Sequence, residues 1–330
     1  MKIIAEILSI VILLAGMASC AKTDRIYGNP QKEIAMNPVM HSMTKAKVPG
    51  PVTGSQYPDA EHFGVIAYYS PLFTDGQKWT SLTSVQPYFE NREFAQEGDT
   101  FSGSPKCYWP HQGSLVLAGY SPFDAIKESI TFNPETKALT ITGFESNGQT
   151  DLMYFLPKIS DDGYLVGLNR GTSSVSAAFS HALSLVEFNV KGVDNDVTVE
   201  LKGITFKDIP RMGTLTADAS GCSWSDRSSP DDLPDLPVFS SVDGEVLSSE
   251  TPVTATSLVI PGSAVNIELA YGAVGATSHD KTGTITPENA VTEWVAGKKY
   301  IYNLTIRSGF IVVESVTTSY IAENESGIEI

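Results

Sequence analysis

Apolar and polar positions alternate with a period of two over most of this chain. Beyond residue 62 the apolar residues gather in short runs separated by Gly, Pro, Asn, Asp and Ser. No window with helical periodicity outlasts about three turns. Strands are therefore expected at residues 62–69, 114–122, 129–132, 138–142, 152–156, 183–190, 197–206, 257–261, 265–271, 299–306 and 310–316, with another around 106–110. Asn133, Pro134, Glu135 and Thr136 lie between two of these runs and read as a hairpin turn. Residues 183–190 carry apolar side chains at both parities (Leu183 and Leu185 against Val186, Phe188 and Val190), which points to burial of at least part of the strand on two faces. Val197, Val199 and Leu201 alternate with Thr198, Glu200 and Lys202, as suits a strand with one wet face. Residues 220–237, rich in Gly, Ser, Asp and Pro, read as a long loop. Many short strands between frequent turns give an all-β fold class of sandwiches or barrels. Gly171, Thr172, Ser173 and Ser174 separate two sets of strands.

The first twenty residues depart from this pattern. Behind Lys2, residues 7–20 form one apolar run closed by small residues and Cys20. The run is too short for a secure bilayer span and reads as a secretory signal. Met17, Ala18, Ser19 and Cys20 resemble the lipobox of bacterial lipoproteins. That resemblance implies cleavage before Cys20 and acyl chains on its thiol, which would hold the protein to a membrane without a spanning helix. The alternative is an ordinary signal peptide with an incidental cysteine. Removal of residues 1–19 leaves 311 of the 330 residues, a length that favours two ordinary domains. The expected organisation is a signal peptide at 1–19, a polar tether at 20–32, an N-terminal domain at 33–173 and a C-terminal domain at 174–330. Ile34, Ala35, Met36, Val39 and Met40 form a short apolar segment at the start of the first domain. Lys45 and Lys47, followed by Val48, Pro49, Gly50 and Pro51, read as an exposed basic loop.

Charge and chemistry narrow the function by exclusion. A net charge of −16, from 38 acidic and 22 basic residues, makes nucleic acid a poor partner. The sequence lacks a nucleophile elbow, a His-Glu-x-x-His zinc signature, a phosphate loop and a dinucleotide glycine triplet, so no enzyme and no cofactor are expected. The five histidines (41, 62, 111, 181 and 279) share no metal-ligand spacing. His181, at an apolar strand start, reads as a core or capping histidine bonded to backbone. The acidic pairs Asp161-Asp162, Asp194 with Asp196, and Asp231-Asp232 sit where turns are expected and supply no calcium-loop pattern. Cys107 and Cys222 could pair in an exported protein, but nothing in their spacing demands it, and two separate buried thiols are the plainer reading. Trp79, Tyr88 and Phe89 could form a carbohydrate platform or staple loops over a β core.

Eight segments in one order carry a resemblance to the fimbrillin family, the subunits of type V pili in Bacteroides-type bacteria. They are Ile34 to Met36 followed by Thr44-Lys45-Ala46; Phe63 to Tyr68; Tyr108-Trp109-Pro110; Leu115 to Pro122; Asp151-Leu152-Met153; Phe179 to Ser184; Gly213-Thr214-Leu215; and Trp294 to Leu304. The resemblance implies two transthyretin-like β-sandwich domains in tandem, lipoprotein export to the cell outer membrane, and a place in a cell-surface fimbrium that serves adhesion. It also implies other fimbrial subunits as partners, with a host or bacterial surface ligand as a further one. In stalk subunits of the family a protease removes the N-terminal strand, usually after an Arg, and a neighbour's strand fills the groove. Lys45 stands at the matching position here, with Lys47 beside it. The donor would come from the C-terminal end, where Phe310, Val312, Glu314 and Val316 are expected on one face of a strand and Ile328 and Ile330 end the tail. The alternative function is a surface glycan-binding lipoprotein that does not polymerise.

If Cys20 carries lipid, Cys20→Ser should release the protein from membranes or leave its signal uncleaved. Detergent partitioning and the mass of the N-terminal peptide check this. A variant that partitions and matures like the wild type would refute the lipobox.

Overall fold

The computed structural model describes residues 31–40, 57–58, 61–126, 129–193, 197–229, 235–274, 281–307 and 310–321. Cys20, Lys45, Lys47, Ile328 and Ile330 lie outside the described residues. The all-β class holds: apart from single 3-10 turns at Phe123–Ala125 and Pro287–Asn289, every described element is a strand.

Seven strands close into a barrel. They are β1 (Ala35–Met40), β2 (Phe63–Ser70), β3 (Gln86–Glu97), β4 (Thr100–Ser104), β5 (Ser114–Ser121), β8 (Met153–Phe155) and β9 (Val175–His181), in the order β1-β4-β3-β2-β5-β8-β9. Aromatic rings fill it. Phe63 lies within 5.3–6.5 Å of Phe94, Phe101, Phe155 and Phe179, in edge, tilted and stacked contacts.

A four-stranded sheet is laid over one side of the barrel. It is built from the hairpin β6 (Ser129–Asn133) and β7 (Ala138–Glu145) and the hairpin β12 (Met212–Asp218) and β13 (Gly221–Ser228), in the order β13-β12-β7-β6. The β6–β7 turn is the expected one: Asn133 Oδ1 accepts the Glu135 amide at 2.8 Å, and Lys137 takes a φ of 59°. Phe132, Leu139, Ile141, Phe144, Leu215 and Ala217 of this sheet pack on Ile66, Val116, Ala118 and Tyr120 from the outer face of the barrel. On β2 and β5 the opposite parity, Val65, Ala67, Leu115 and Leu117, faces the barrel interior. Both strands are therefore buried on two faces, which explains why they read as unbroken apolar runs.

The remaining strands form a sandwich. One sheet has the order β15-β10-β20-β21, from β15 (Val253–Val259), β10 (Ser184–Gly192), β20 (Lys298–Arg307) and β21 (Phe310–Tyr320). The other has the order β14-β11-β17-β18, from β14 (Leu236–Val246), β11 (Val199–Phe206), β17 (Ile267–Ala273) and β18 (Lys281–Ile285). Phe188, Val190 and Tyr302 from the first meet Leu201, Phe206 and Leu269 from the second in one core. A two-stranded ribbon of β16 (Gly262–Ser263) and β19 (Glu293–Trp294) places Trp294 in the same core.

The structure adds detail to these expectations and changes some of them. The first unit is a barrel sheathed by an extra sheet, not an open sandwich. The chain also crosses the divide expected near residue 173 twice: β9 closes the barrel, and β12–β13 join a sheet begun by β6–β7. Residues 221–228 and 236–237, placed in the long loop at 220–237, belong to strands β13 and β14, because edge strands with an exposed side need few apolar residues. Double burial of part of β10 is found at its start, as expected: Leu185 faces the sheath core and Val186 the sandwich core, and alternation follows. Cys107 sits in the barrel core while Cys222 borders the sheath core, so they are two separate thiols. Burial pushes the Cys222 thiol up to about 11, with the Tyr154 hydroxyl opposing it.

If the sheath sheet is structural, Ile141→Ala should cost ~2–5 kcal/mol in urea unfolding, the usual range for a buried Ile truncation. A change within about 0.5 kcal/mol, typical of surface positions, would show the sheet to be dispensable.

Candidate assembly interface

Strand β1 completes the barrel. It pairs antiparallel with β4 (Ala35 with Ser102, Met36 with Phe101) and parallel with β9, from Met36 with Val175 to Met40 with Phe179. Its side chains alternate as a stave requires: Ile34, Met36 and Met40 point into the barrel core and Asn37 and Val39 point out. The chain enters β1 firmly. The Ile34 amide donates to the Cys107 carbonyl and the Trp109 amide to the Lys32 carbonyl, each at 2.9 Å. The Lys32 ammonium caps the carbonyls of Arg170 and Thr172 at 2.7 Å each, and Lys106 pairs with Glu33 at 2.8 Å. The strand leaves less firmly. Pro38, with no amide proton to give, lies beyond the last β4 pair, where β1 keeps only β9 as a neighbour.

Removing β1 would expose the facing edges of β4 and β9 and a slot lined by aromatic groups. Tyr57, the first described residue after β1, stacks on Phe179 at 5.3 Å and meets Phe101 edge-on at 5.3 Å. Its hydroxyl bonds to Ser121 Oγ at 2.6 Å, and burial holds its ionisation far above the ordinary tyrosine range. Such a slot presents main-chain donors and acceptors along both sides and apolar pockets two residues apart.

The C-terminal end is an edge. Strand β21 pairs with β20 alone and forms the outer strand of its sheet. The expected faces need correction. Ser315 pairs with Asn303 but Val313 pairs with Leu304, so Glu314 is an extra residue, a β-bulge. The bulge reverses the parity. Ile311, Val313 and Val316 all pack on the sandwich core, while Phe310 is exposed and Val312 lies on the other face from Val313. The strand also runs further than expected, to Tyr320, and the Ile321 that comes next is buried in the sheath core with its amide on the Gly297 carbonyl at 2.9 Å.

Other singled-out residues fall outside this interface. Trp79 and Phe89 are core residues, Trp79 donating its indole N–H to Ser114 Oγ at 3.0 Å, and Tyr88 donates its hydroxyl to the Tyr108 carbonyl. They staple loops and form no exposed platform. His181 is a core histidine, but its partner is a carboxylate rather than backbone: Nδ1 lies 3.0 Å from Asp151. Among the described residues no group of three or more His, Cys, Asp or Glu could hold a metal, and no helix is long and apolar enough to cross a membrane.

Residues 50–322 match the family profile described as fimbrillin-like. The chain belongs to the fimbrillin-like family. Membership makes it a structural, non-enzymatic protein of the fimbrial type, associated with the cell surface. The fold agrees with solved structures. A candidate cell adhesion protein from Bacteroides uniformis superposes with a TM-score of 0.55 at 15% identity, covering 88% of this chain and 99% of that one. Another from Bacteroides ovatus gives 0.51 at 14% identity, covering 90% and 100%. The tip fimbrial protein Mfa3 of Porphyromonas gingivalis, with a C-terminal truncation, gives 0.37 at 9% identity over 88% and 99%, too distant to carry an argument. No curated protein sequence matches. The fimbrillin-like match starts after β1, so the strand that closes the barrel lies outside it.

The alternation along β1 can be tested directly. Met36→Asp buries a carboxylate in the barrel and is expected to lower stability by several kcal/mol, or ~3 or more. Asn37→Asp, one residue away on the outer face, is expected to stay within about 0.5 kcal/mol. Urea unfolding of both variants decides; equal effects would refute the register.

Proposed function

We propose that the chain is a fimbrial subunit, exported as a lipoprotein on Cys20 to the cell outer membrane and assembled by strand exchange. Its two units, 33–173 and 174–330, which share strands β9 and β12–β13 across their boundary, act as the tandem transthyretin-like domains of such subunits. Proteolysis at Lys45 or Lys47, in the connection between Met40 and Tyr57, would free β1 from the chain. The slot between β4 and β9 would then accept a strand from a neighbouring subunit. The observation that carries this reading is that one short strand at the N-terminal end, held along its second half by β9 alone, closes the barrel.

The donor is the C-terminal end of the next subunit. Phe310, Val312 and Val316 belong to an edge strand in the chain's own sandwich, so the donor in this scheme is taken from the residues after Ile321, which include Ile328 and Ile330. Those two isoleucines have the spacing of neighbouring pockets in a strand slot. An adhesive contact with a host or bacterial surface ligand would follow from display on the fimbrium.

Limited trypsin treatment of the purified chain should cut at Lys45 or Lys47 before any site in the cores, and the cut protein should form multimers visible by size exclusion. Truncation after Ile321 should leave a folded monomer that no longer adds to cut subunits. Resistance of both lysines while core sites are cut would overturn the processing step. Undiminished multimerisation of the truncated chain would overturn the tail as donor.

A further inference from the structure

A cleft of about 660 Å³ opens where three segments from different sheets meet, within the size range of small-ligand sites. It lies between the β11–β12 connection, the outer strand β13, and the connection from β15 to β17. Asp208, Trp224, Asp226, Arg227 and Val265 are among its lining residues.

Three features separate this cleft from ordinary surface. The first is unpaired charge. Asp208, Asp226 and Arg227 form none of the ion pairs found among the described residues, although they share one cavity. The Arg227 guanidinium is instead pinned to backbone: Nη1 donates to the Pro261 carbonyl at 2.8 Å, in space left by Gly262, where a Cβ would sit 1.5 Å from that nitrogen. The second is backbone strain. Asp208 and Asp226 both adopt left-handed conformations, with φ of 54° and 51°, and such residues gather at functional sites. The third is a fixed aromatic wall. Trp224 is half-buried, donates its indole N–H to the Ala182 carbonyl at 2.9 Å, and packs on Phe144 with ring centroids 5.7 Å apart. Its polar edge is satisfied within the fold, so what it offers the cleft is apolar ring surface.

These features select a ligand class. Two carboxylates disfavour an anion, and the guanidinium disfavours a cation. Three unpaired charges disfavour a purely apolar guest, which would strip them of water and return no hydrogen bonds. An uncharged ring with an apolar face and a rim of hydroxyls meets every requirement. The C–H face covers the indole, the hydroxyls donate to Asp208 and Asp226, and their oxygens accept from the free N–H groups of Arg227. We propose that this cleft binds a neutral carbohydrate, with Trp224 beneath a sugar ring and Asp208, Asp226 and Arg227 at its hydroxyls. The site uses none of Trp79, Tyr88 and Phe89, and it is independent of strand exchange.

The test is titration of the full mature chain with glucose, galactose, mannose, N-acetylglucosamine, the disaccharides lactose, cellobiose, mannobiose and chitobiose, and the anionic sugar sialic acid. Tryptophan fluorescence and saturation-transfer NMR report binding. Saturable binding of at least one sugar is expected, weakened about tenfold or more by Asp208→Asn and by Asp226→Asn, since each removes one charged hydrogen-bond acceptor. Asn tolerates the left-handed conformation, so both variants should keep the wild-type melting temperature. Trp224→Phe, which keeps a ring, should weaken binding less than Trp224→Ala. The proposal is overturned if no sugar binds, if only an anionic sugar such as sialic acid binds, or if both Asn variants bind as the wild type does. Multimerisation of trypsin-cut Asp208→Asn should be unchanged, so failure of the assembly scheme and failure of this one are read separately.

Discussion

The arrangement depends on double burial of two barrel strands. Strands β2 and β5 present Val65, Ala67 and Leu117 inward and Ile66, Val116, Ala118 and Tyr120 outward, and neither set is left to water. A barrel alone would cover only the first. The outward set requires a second layer, and the hairpins β6–β7 and β12–β13 supply it from opposite halves of the chain. This cover explains why the second half must fold back on the first. Leu185, Leu258 and Ile260 join the same core from the sandwich side, so barrel, sheath and sandwich share one continuous apolar contact. Close approach sharpens the fit: a Cβ at Gly119 would lie 2.3 Å from the Gly64 carbonyl and 2.4 Å from Phe155.

Against that rigid body β1 stands apart. Strand β1 is joined to Tyr57 only through residues 41–56, and although its β9 ladder spans five residue pairs its β4 ladder spans two. Its stability comes chiefly from Ile34, Met36 and Met40 in the interior and from the Lys32 clamp. Any chain that offers apolar residues at the same alternate positions, and free amides and carbonyls, satisfies the same requirements.

Much of this was legible in the amino-acid pattern. Strands β2, β5, β7, β10, β17 and β20 announce themselves because their apolar residues keep a period of two or fill both faces. Strands β3, β13 and β14 do not: Glu90, Asp226 and Glu245 sit at exposed positions, so ladder pairing more than burial makes them strands. The barrel closure could not be read either, because a parallel partner about 140 residues distant leaves no local trace (Met36 with Val175 is the first such pair). The Glu314 bulge shows a third limit, since one inserted residue turned the expected faces of β21 over. The cleft around Trp224 carried no signal, because Asp208 and Val265 reach Trp224, Asp226 and Arg227 of β13 only through tertiary structure.

Strand β9 passes almost directly into β10 through Ala182 and Leu183, both fully buried. Each strand lies parallel to a partner: β9 to β1 in the barrel, β10 to β20 in the sandwich. A pull along this axis, entering through whatever strand occupies the β1 slot and leaving through β20, loads both ladders in shear. All of their hydrogen bonds then share the load, instead of opening one after another as in an unzipped hairpin. The β9–β10 line is thus the tensile member of the molecule, and the two buried residues at its middle are a splice kept dry under strain.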